Sequence, residues 1–283
     1  MLPHHYLVPA IVAGFLQGIV EWLPVSSKTM ITIYFTLIGL KVQNAYSLGL
    51  IANFGSFFAA LYYFRREVGG VLRALKHPFS DEPYAKLLRF LFVGTVATGI
   101  IGIPIYVAVR HTFTLVGGSI AMAIIGVLLL GTGVIARRKE QLMAQQTDKP
   151  RVPKEPTPGH AILTGAMQGL AALPGISRSG MTITPLLWMG FEGDEAIRLS
   201  FMLDVLALVG AGIVPLLIGQ GGRAAVSSLG VGTTVVMLVV ACIVSFGAIN
   251  AVLGLARRLR TSTVTFAIAI ITLAAAILSI AHV

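Results

Sequence analysis

Two stretches of this chain repeat one unusual phrase, and both lie in otherwise apolar sequence. Residues 14–32 read GFLQGIVEWLPVSSKTMIT, and residues 165–184 read GAMQGLAALPGISRSGMTIT. Each has a Gln-Gly pair, a Leu-Pro break, serines, a cation (Lys28, Arg178), a Met and a Thr. Proline, glycine, serine and charge are costly at membrane depth unless they are buried in protein or line a cavity. A duplicated pair of such breaks therefore predicts a buried site assembled from both halves of the chain.

The membrane setting follows from composition. Of the 283 residues 56% are hydrophobic and 11% are charged, whereas a soluble domain carries about 25% charge. Six long apolar segments, at residues 44–64, 87–109, 114–136, 195–217, 230–255 and 262–280, are near the ~20 residues that cross a bilayer. Four shorter apolar pieces, at 6–22, 26–40, 161–173 and 178–189, pair around Leu23-Pro24 and Pro174-Gly175. Most of them reach well short of a full span at 1.5 Å per residue, and two re-entrant helical hairpins fit these lengths best. The expected fold is an all-α membrane protein: six transmembrane helices plus two re-entrant hairpins in inverted-topology repeats. The first repeat covers 1–137 (hairpin about 6–40 plus three spans). A flexible cytoplasmic linker, rich in Pro and Lys, covers 138–159. The second repeat covers 160–283 (hairpin about 161–189 plus three spans). One hairpin and an odd number of spans precede the second hairpin, which therefore enters from the opposite face.

The net charge of +10 reads as topology rather than nucleic-acid binding. In this arrangement Arg65, Arg66, Arg73, Lys76, Lys86, Arg89, the 137–154 group, Arg198, Arg257, Arg258 and Arg260 fall on one side. Lys41, Arg110 and Arg223 fall on the other. The basic side is expected in the cytoplasm, with both termini outside and some contact with anionic lipid headgroups. The N-terminus lacks the basic region of a cleavable signal peptide. The single Cys242 sits in an apolar run, so no disulfide framework exists.

Two acids, Glu21 and Asp204, lie inside apolar segments, and an intramembrane acid is a functional hypothesis by default. Gln17 and Glu21 are four residues apart and share a helix face. They could hold Mg²⁺ or Ca²⁺ with substrate phosphates, or Glu21 could act as a base. The bland alternative is a hydrogen bond to the opposing hairpin. Asp204 reads more as a structural partner of a neighbouring helix. At the breaks, Ser26-Ser27 and Ser177-Arg178-Ser179 each open a second short helix. Serine caps helix N-termini, and two such ends converging make an anion site. Arg178 adds a planar fork suited to phosphate or carboxylate; otherwise it pairs internally with Glu21 or Asp204. Lys28 adds a second cation or snorkels outward.

At these residues the chain resembles the undecaprenyl-diphosphate phosphatase family, the bacitracin-resistance type of integral membrane phosphatase. Gln17 to Glu21 fits its (Glu/Gln)-x-x-x-Glu signature, followed by Leu-Pro-Val-Ser-Ser at 23–27. Pro174, Gly175, Ser177, Arg178, Ser179 and Thr182 complete its Pro-Gly-x-Ser-Arg-Ser-x-x-Thr signature, which is long and specific. Asn53-Phe54-Gly55-Ser56 resembles the family's amide-x-Gly-Ser patch. The resemblance covers essentially the whole chain. It implies that a polyprenyl diphosphate loses its terminal phosphate, which recycles a lipid carrier for cell-envelope glycan synthesis. It also implies a divalent cation, Mg²⁺ or Ca²⁺, near Glu21 and Gln17. Ser27, or Ser26, would be the nucleophile or its support. Gly175, Ser177, Arg178, Ser179 and Thr182 would hold the diphosphate, with Lys28 as a further phosphate contact. One departure stands out: the family's Gly-His pair after the double serine is absent, and Lys28, Thr29, Met30 and Ile31 follow instead. The base would then be Glu21, Lys28 or metal-bound water. The expected partners are the lipid substrate and membrane lipids, with no nucleic acid. Oligomeric state, a homodimer included, is not legible. The alternative function is a transporter of polyprenyl phosphate or a related lipid phosphate, since broken helices at the midplane also build transporters. An ion channel fits poorly with Arg178 and Lys28 and without a ring of acids.

Overall fold

Helices dominate because lipid offers no hydrogen-bond partner to an unpaired backbone. The computed structural model describes residues 6–23, 25–116, 118–145, 155–218, 220–256 and 261–281. Among them there is no strand. Pro24, residues 146–154 of the expected linker, and Arg257, Arg258 and Arg260 lie outside the described residues.

In chain order the helices are α1 (Leu7–Val20), α2 (Ser27–Leu37), α3 (Val42–Ile51), α4 (Asn53–Tyr63), α5 (Arg65–Ala74), α6 (Pro83–Leu115), α7 (Gly118–Gln145), α8 (Pro158–Leu170), α9 (Arg178–Trp188), α10 (Gly193–Leu217), α11 (Gly221–Leu229), α12 (Val231–Ala256) and α13 (Thr261–Ala281). Five stretches among the described residues are long and apolar enough to cross a membrane: Val42–Tyr63, Pro83–Leu115, Gly118–Gln145, Gly193–Leu217 and Val231–Ile249. The chain is therefore an all-helical, multi-pass membrane protein. In α13 the described apolar stretch is shorter, Thr265–Ala274.

Several local features depart from the sequence expectation. The span expected at 44–64 is present as Val42–Tyr63, with α3 passing into α4 at Ala52, whose backbone stays helical. The linker expected from 138 is helical as far as Gln145, because its first residues are held by packing. Lys139 is buried, and Glu140 accepts the Ser262 backbone N–H at 2.9 Å and the Ser262 hydroxyl at 2.7 Å. Glu140 thus occupies orphan donors at the start of α13. Only 155–157 of the linker's far end are described as non-helical. There Thr157 and His160 form a capping box opening α8.

Each short leading helix seats on a long helix of the other half of the chain. Helix α1 packs on α12, and α8 packs on α6. Glycines permit both approaches. A Cβ on Gly14 would lie 2.5 Å from the Met237 carbonyl, and one on Gly18 would lie 2.6 Å from the Val244 Cβ. A Cβ on Gly165 would strike the Gly94 carbonyl, and one on Gly169 would lie 2.6 Å from the Ile101 Cβ. Small residues four apart let helix backbones touch in a medium where apolar burial drives little association. Large apolar side chains remain exposed on the outer faces: Phe92, Val96 and Ile100 on α6, Val127 and Val134 on α7, Val239 and Ile243 on α12. Such faces suit acyl chains rather than water.

Candidate active site

The loops between α1 and α2 and between α8 and α9 meet inside the molecule. Both second helices begin at an extended serine, Ser26 (ψ 98°) and Ser177 (ψ 126°). Ser177 caps its helix by accepting from the Gly180 N–H at 3.4 Å. Ser26 makes no such cap; its hydroxyl pairs with Thr29 at 2.7 Å. Gly175 turns the second tip with φ +85°, a region that glycine enters without steric cost.

Three contacts join the tips. The Lys28 ammonium donates to the Ile176 carbonyl at 2.7 Å and to the Ser26 hydroxyl at 3.1 Å. The Gly175 N–H donates to the Thr29 hydroxyl at 2.7 Å. The Arg178 Nη2 forms an ion pair with Glu21 Oε1. Lys28 is 6% exposed, so it does not snorkel; its charge faces the opposite hairpin.

Around Glu21 the polar groups are dense. Its Oε2 accepts from the Ser27 hydroxyl at 2.5 Å and from Gln17 Nε2 at 2.7 Å. Gln17 also reaches Asn53 at 3.2 Å and Ser56 at 3.3 Å on α4. Its Oε1 is buried without a partner. Arg178 bridges to a second acid: Asp204 Oδ1 on α10 stands 2.9 Å from Nε. The side chains of Glu21 and Asp204 are 5% and 8% exposed. Removing one partner from such a buried group costs about 3–5 kcal/mol, because the remaining charge is left uncompensated. Nη1 of Arg178 donates to no described protein group, and the side chain lines a cavity. The fork thus has a donor free for an anion.

That cavity encloses about 180 Å³. Glu21, Ser26, Ser27, Lys28, Ser177, Arg178, Ser179 and Asp204 all line it. Ten expected site residues thus divide into two groups. Seven of these wall residues, all but Asp204, were expected, and with Gln17 behind Glu21 they come together. Gly175 and Thr182 do not reach the cavity. Both backbone polar groups of Gly175 are consumed, the N–H by Thr29 and the carbonyl by the Thr132 hydroxyl at 2.5 Å. Thr182 is fully buried behind Arg178, with its hydroxyl 2.5 Å from that of Ser200. In this arrangement they shape the tip. Asp204, expected as a structural partner, stands on the cavity wall. It shares one face of α10 with Ser200, a turn earlier, and that spacing was a readable signal. The tip contacts of Thr29 and Thr132 had none. His77, His111 and His160 lie away from the cavity lining; His4, His5 and His282 are outside the described residues.

No group of three or more His, Cys, Asp or Glu side chains suited to a metal occurs among the described residues. An all-protein cage is absent there. The donors present, the Glu21 carboxylate and the unpartnered Gln17 Oε1, are hard oxygens of the kind that bind Mg²⁺ or Ca²⁺ together with phosphate oxygens.

The family model described as bacitracin resistance protein BacA matches residues 10–276. A protein named undecaprenyl-diphosphatase from Saccharolobus islandicus strain M.14.25 is 38% identical over 256 residues, 89% of each chain. Its namesake from Saccharolobus solfataricus is 36% identical over 279 residues, 97% of each. Another from Haloarcula marismortui is 33% identical over 257 residues, 89% of this chain and 90% of that one. The chain belongs to the BacA bacitracin-resistance family.

Proposed function

We propose that the protein removes the terminal phosphate of a polyprenyl diphosphate, undecaprenyl diphosphate or a similar lipid, and so recycles a carrier for cell-envelope glycan synthesis. The observation that carries this reading is the Ser27–Glu21–Arg178 chain: a hydroxyl bonded to a carboxylate whose other oxygen is held by a guanidinium from the opposing hairpin. A serine needs such an adjacent base to attack. Ser27 Oγ would bond to the terminal phosphorus as its proton passes to Glu21. The bridging P–O bond would break, and polyprenyl phosphate would leave. Water would then free inorganic phosphate from the serine. Arg178, with the hydroxyls of Ser177 and Ser179, would hold the phosphate oxygens and spread their charge. Lys28 would position the tips and lend a second positive charge. A divalent cation, Mg²⁺ or Ca²⁺, would be held by Glu21, with Gln17 behind it, and by the substrate's own oxygens; it would neutralise phosphate charge as a Lewis acid.

The same reading extends to topology. Residues 1–137 and 160–283 would be inverted repeats whose re-entrant hairpins enter from opposite leaflets, the basic loops cytoplasmic and both termini outside. The reciprocal seating of α1 on α12 and α8 on α6 supports the repeat relation, and the one-sided basic loops support the orientation. A phosphate-release assay on purified protein with undecaprenyl diphosphate, with and without chelator, tests the function. Release that chelator abolishes is expected. Lipid movement across vesicles without any release would replace the enzyme by a transporter.

A further inference from the structure

The cavity continues past the charged cluster into an apolar groove between α6 and α10. Its walls include Gly99, Gly102 and Ile103 on α6 and Leu206, Ala207 and Gly210 on α10. Two of these glycines lack the usual reason for being glycine. A Cβ at Gly210 would meet nothing within 4 Å, and one at Gly99 would meet only the Ile103 Cδ1, at 4.0 Å. Neither has a positive φ. Mid-helix glycine costs about 1 kcal/mol relative to alanine, and here no close approach offsets it. Gly131 and Gly247 also face open space, but they lie on the exposed outer surface. Gly99 and Gly210 instead face the cavity that holds Arg178.

At about 180 Å³ the space is smaller than the roughly 300–1,000 Å³ of a pocket that engulfs a drug-sized ligand. A long prenyl chain cannot be enclosed. The seam is open sideways: Ile103 is 36% and Leu206 41% exposed, and they flank the groove on a surface that suits acyl chains.

We propose that Gly99 and Gly210 keep this groove open for the first isoprene units of the substrate, and that the rest of the chain leaves between α6 and α10 into the bilayer. This rests on the diphosphatase reading above, because the groove's occupant is identified by its continuity with the phosphate site. The selectivity follows: the protein requires an apolar tail next to the diphosphate and is indifferent to tail length beyond the seam.

The test uses the full chain in lipid nanodiscs, with Gly99→Leu, Gly210→Leu and the milder Gly210→Ala, and with Gly247→Leu as the outer-surface control. Phosphate release is measured on prenyl diphosphates of three and eleven isoprene units. Methylenediphosphonate, a tail-free competitor, reports on the phosphate site alone. Both leucine variants are expected to raise KM about tenfold for both lipids, equivalent to about 1.4 kcal/mol. The inhibition constant of methylenediphosphonate should stay within about twofold, and Gly247→Leu should match the parent. Unchanged KM in both leucine variants overturns the proposal. So does an equal rise in KM and in the inhibition constant, which would mean a damaged phosphate site. Should a leucine variant fail to fold, Gly210→Ala decides: its added Cβ has free space, and a rise in KM without a change in the inhibition constant is required. Should the parent release no phosphate, the diphosphatase reading falls, and binding of a fluorescent farnesyl diphosphate decides the groove. Weakened binding in Gly210→Leu supports it, and unchanged binding overturns it.

Discussion

The two hairpins share a backbone plan and differ in charge. Both lead with a Gln-Gly helix seated by glycines on a long helix of the other half, and both restart at an extended serine. Four residues after Gln17 the first hairpin places Glu21; four residues after Gln168 the second places Ala172, whose carbonyl accepts from the Tyr46 hydroxyl at 2.6 Å. The second hairpin puts Arg178 into the cavity, where Glu21 takes it up. Gln17 serves the carboxylate directly, whereas Gln168 reaches only Thr98, at 3.2 Å. Neither tip contains a complete site. The shared plan supplies the scaffold, and the difference between the tips supplies opposite charges that are stable when buried only together.

Breaking that complementarity should have the largest effect. Arg178→Ala and Glu21→Ala are each expected to lower phosphate release by at least about 10³-fold, the scale at which one charge-stabilising donor matters. Arg178→Lys should recover little of it, because a point charge cannot span Glu21 and Asp204 as a fork does. Full activity in either alanine variant would remove the site as drawn. Next in size is the serine contrast. Ser27→Ala should lose at least about 10²-fold in kcat, in the range of a lost nucleophile–base pair. Ser177→Ala, in the other tip, should act mainly on KM. Equal losses in kcat would mean that the two tips share one role.

The seating of the two hairpins offers a stability comparison. Gly18→Val and Gly165→Val both drive a side chain into a neighbouring helix. Each should destabilise by about 1–3 kcal/mol, the usual cost of overpacking, measured as thermal unfolding in detergent. Gly165→Val should be the worse, because its Cβ meets backbone and not a side chain. The smallest effect belongs to the latch between tips. Thr29→Val keeps the shape but leaves the Gly175 N–H unpaired, at about 1 kcal/mol of stability. Its readout is an altered KM together with that small drop in unfolding temperature.

Much of the architecture was legible in the chain. Long apolar runs with few charges identify spans because hydrocarbon tolerates little else, and the short paired runs identified helices too brief to cross. Polarity misleads where packing outweighs it. Residues 138–145 read as a linker, yet they continue α7 because Glu140 is engaged by Ser262. The site divided in the same way. Gln17, Glu21, Ser27 and Arg178 announced themselves as polar groups in apolar surroundings, and they do converge. Gly175 and Thr182 carry the same motif but turn inward, since a motif records spacing and not which lone pair faces the cavity.

Residue order thus established the membrane class, the duplicated breaks and the chemical groups available, because the penalty for polarity in lipid is a local property of sequence. Which partner each group takes was decided only on folding. Asp204 became the second acid on Arg178, Lys28 tied one tip to the other, and two glycines came to face a shared groove. Those pairings depend on distances between separate helices, with Lys28 meeting Ile176 and Arg178 meeting both Glu21 and Asp204, which no local pattern encodes.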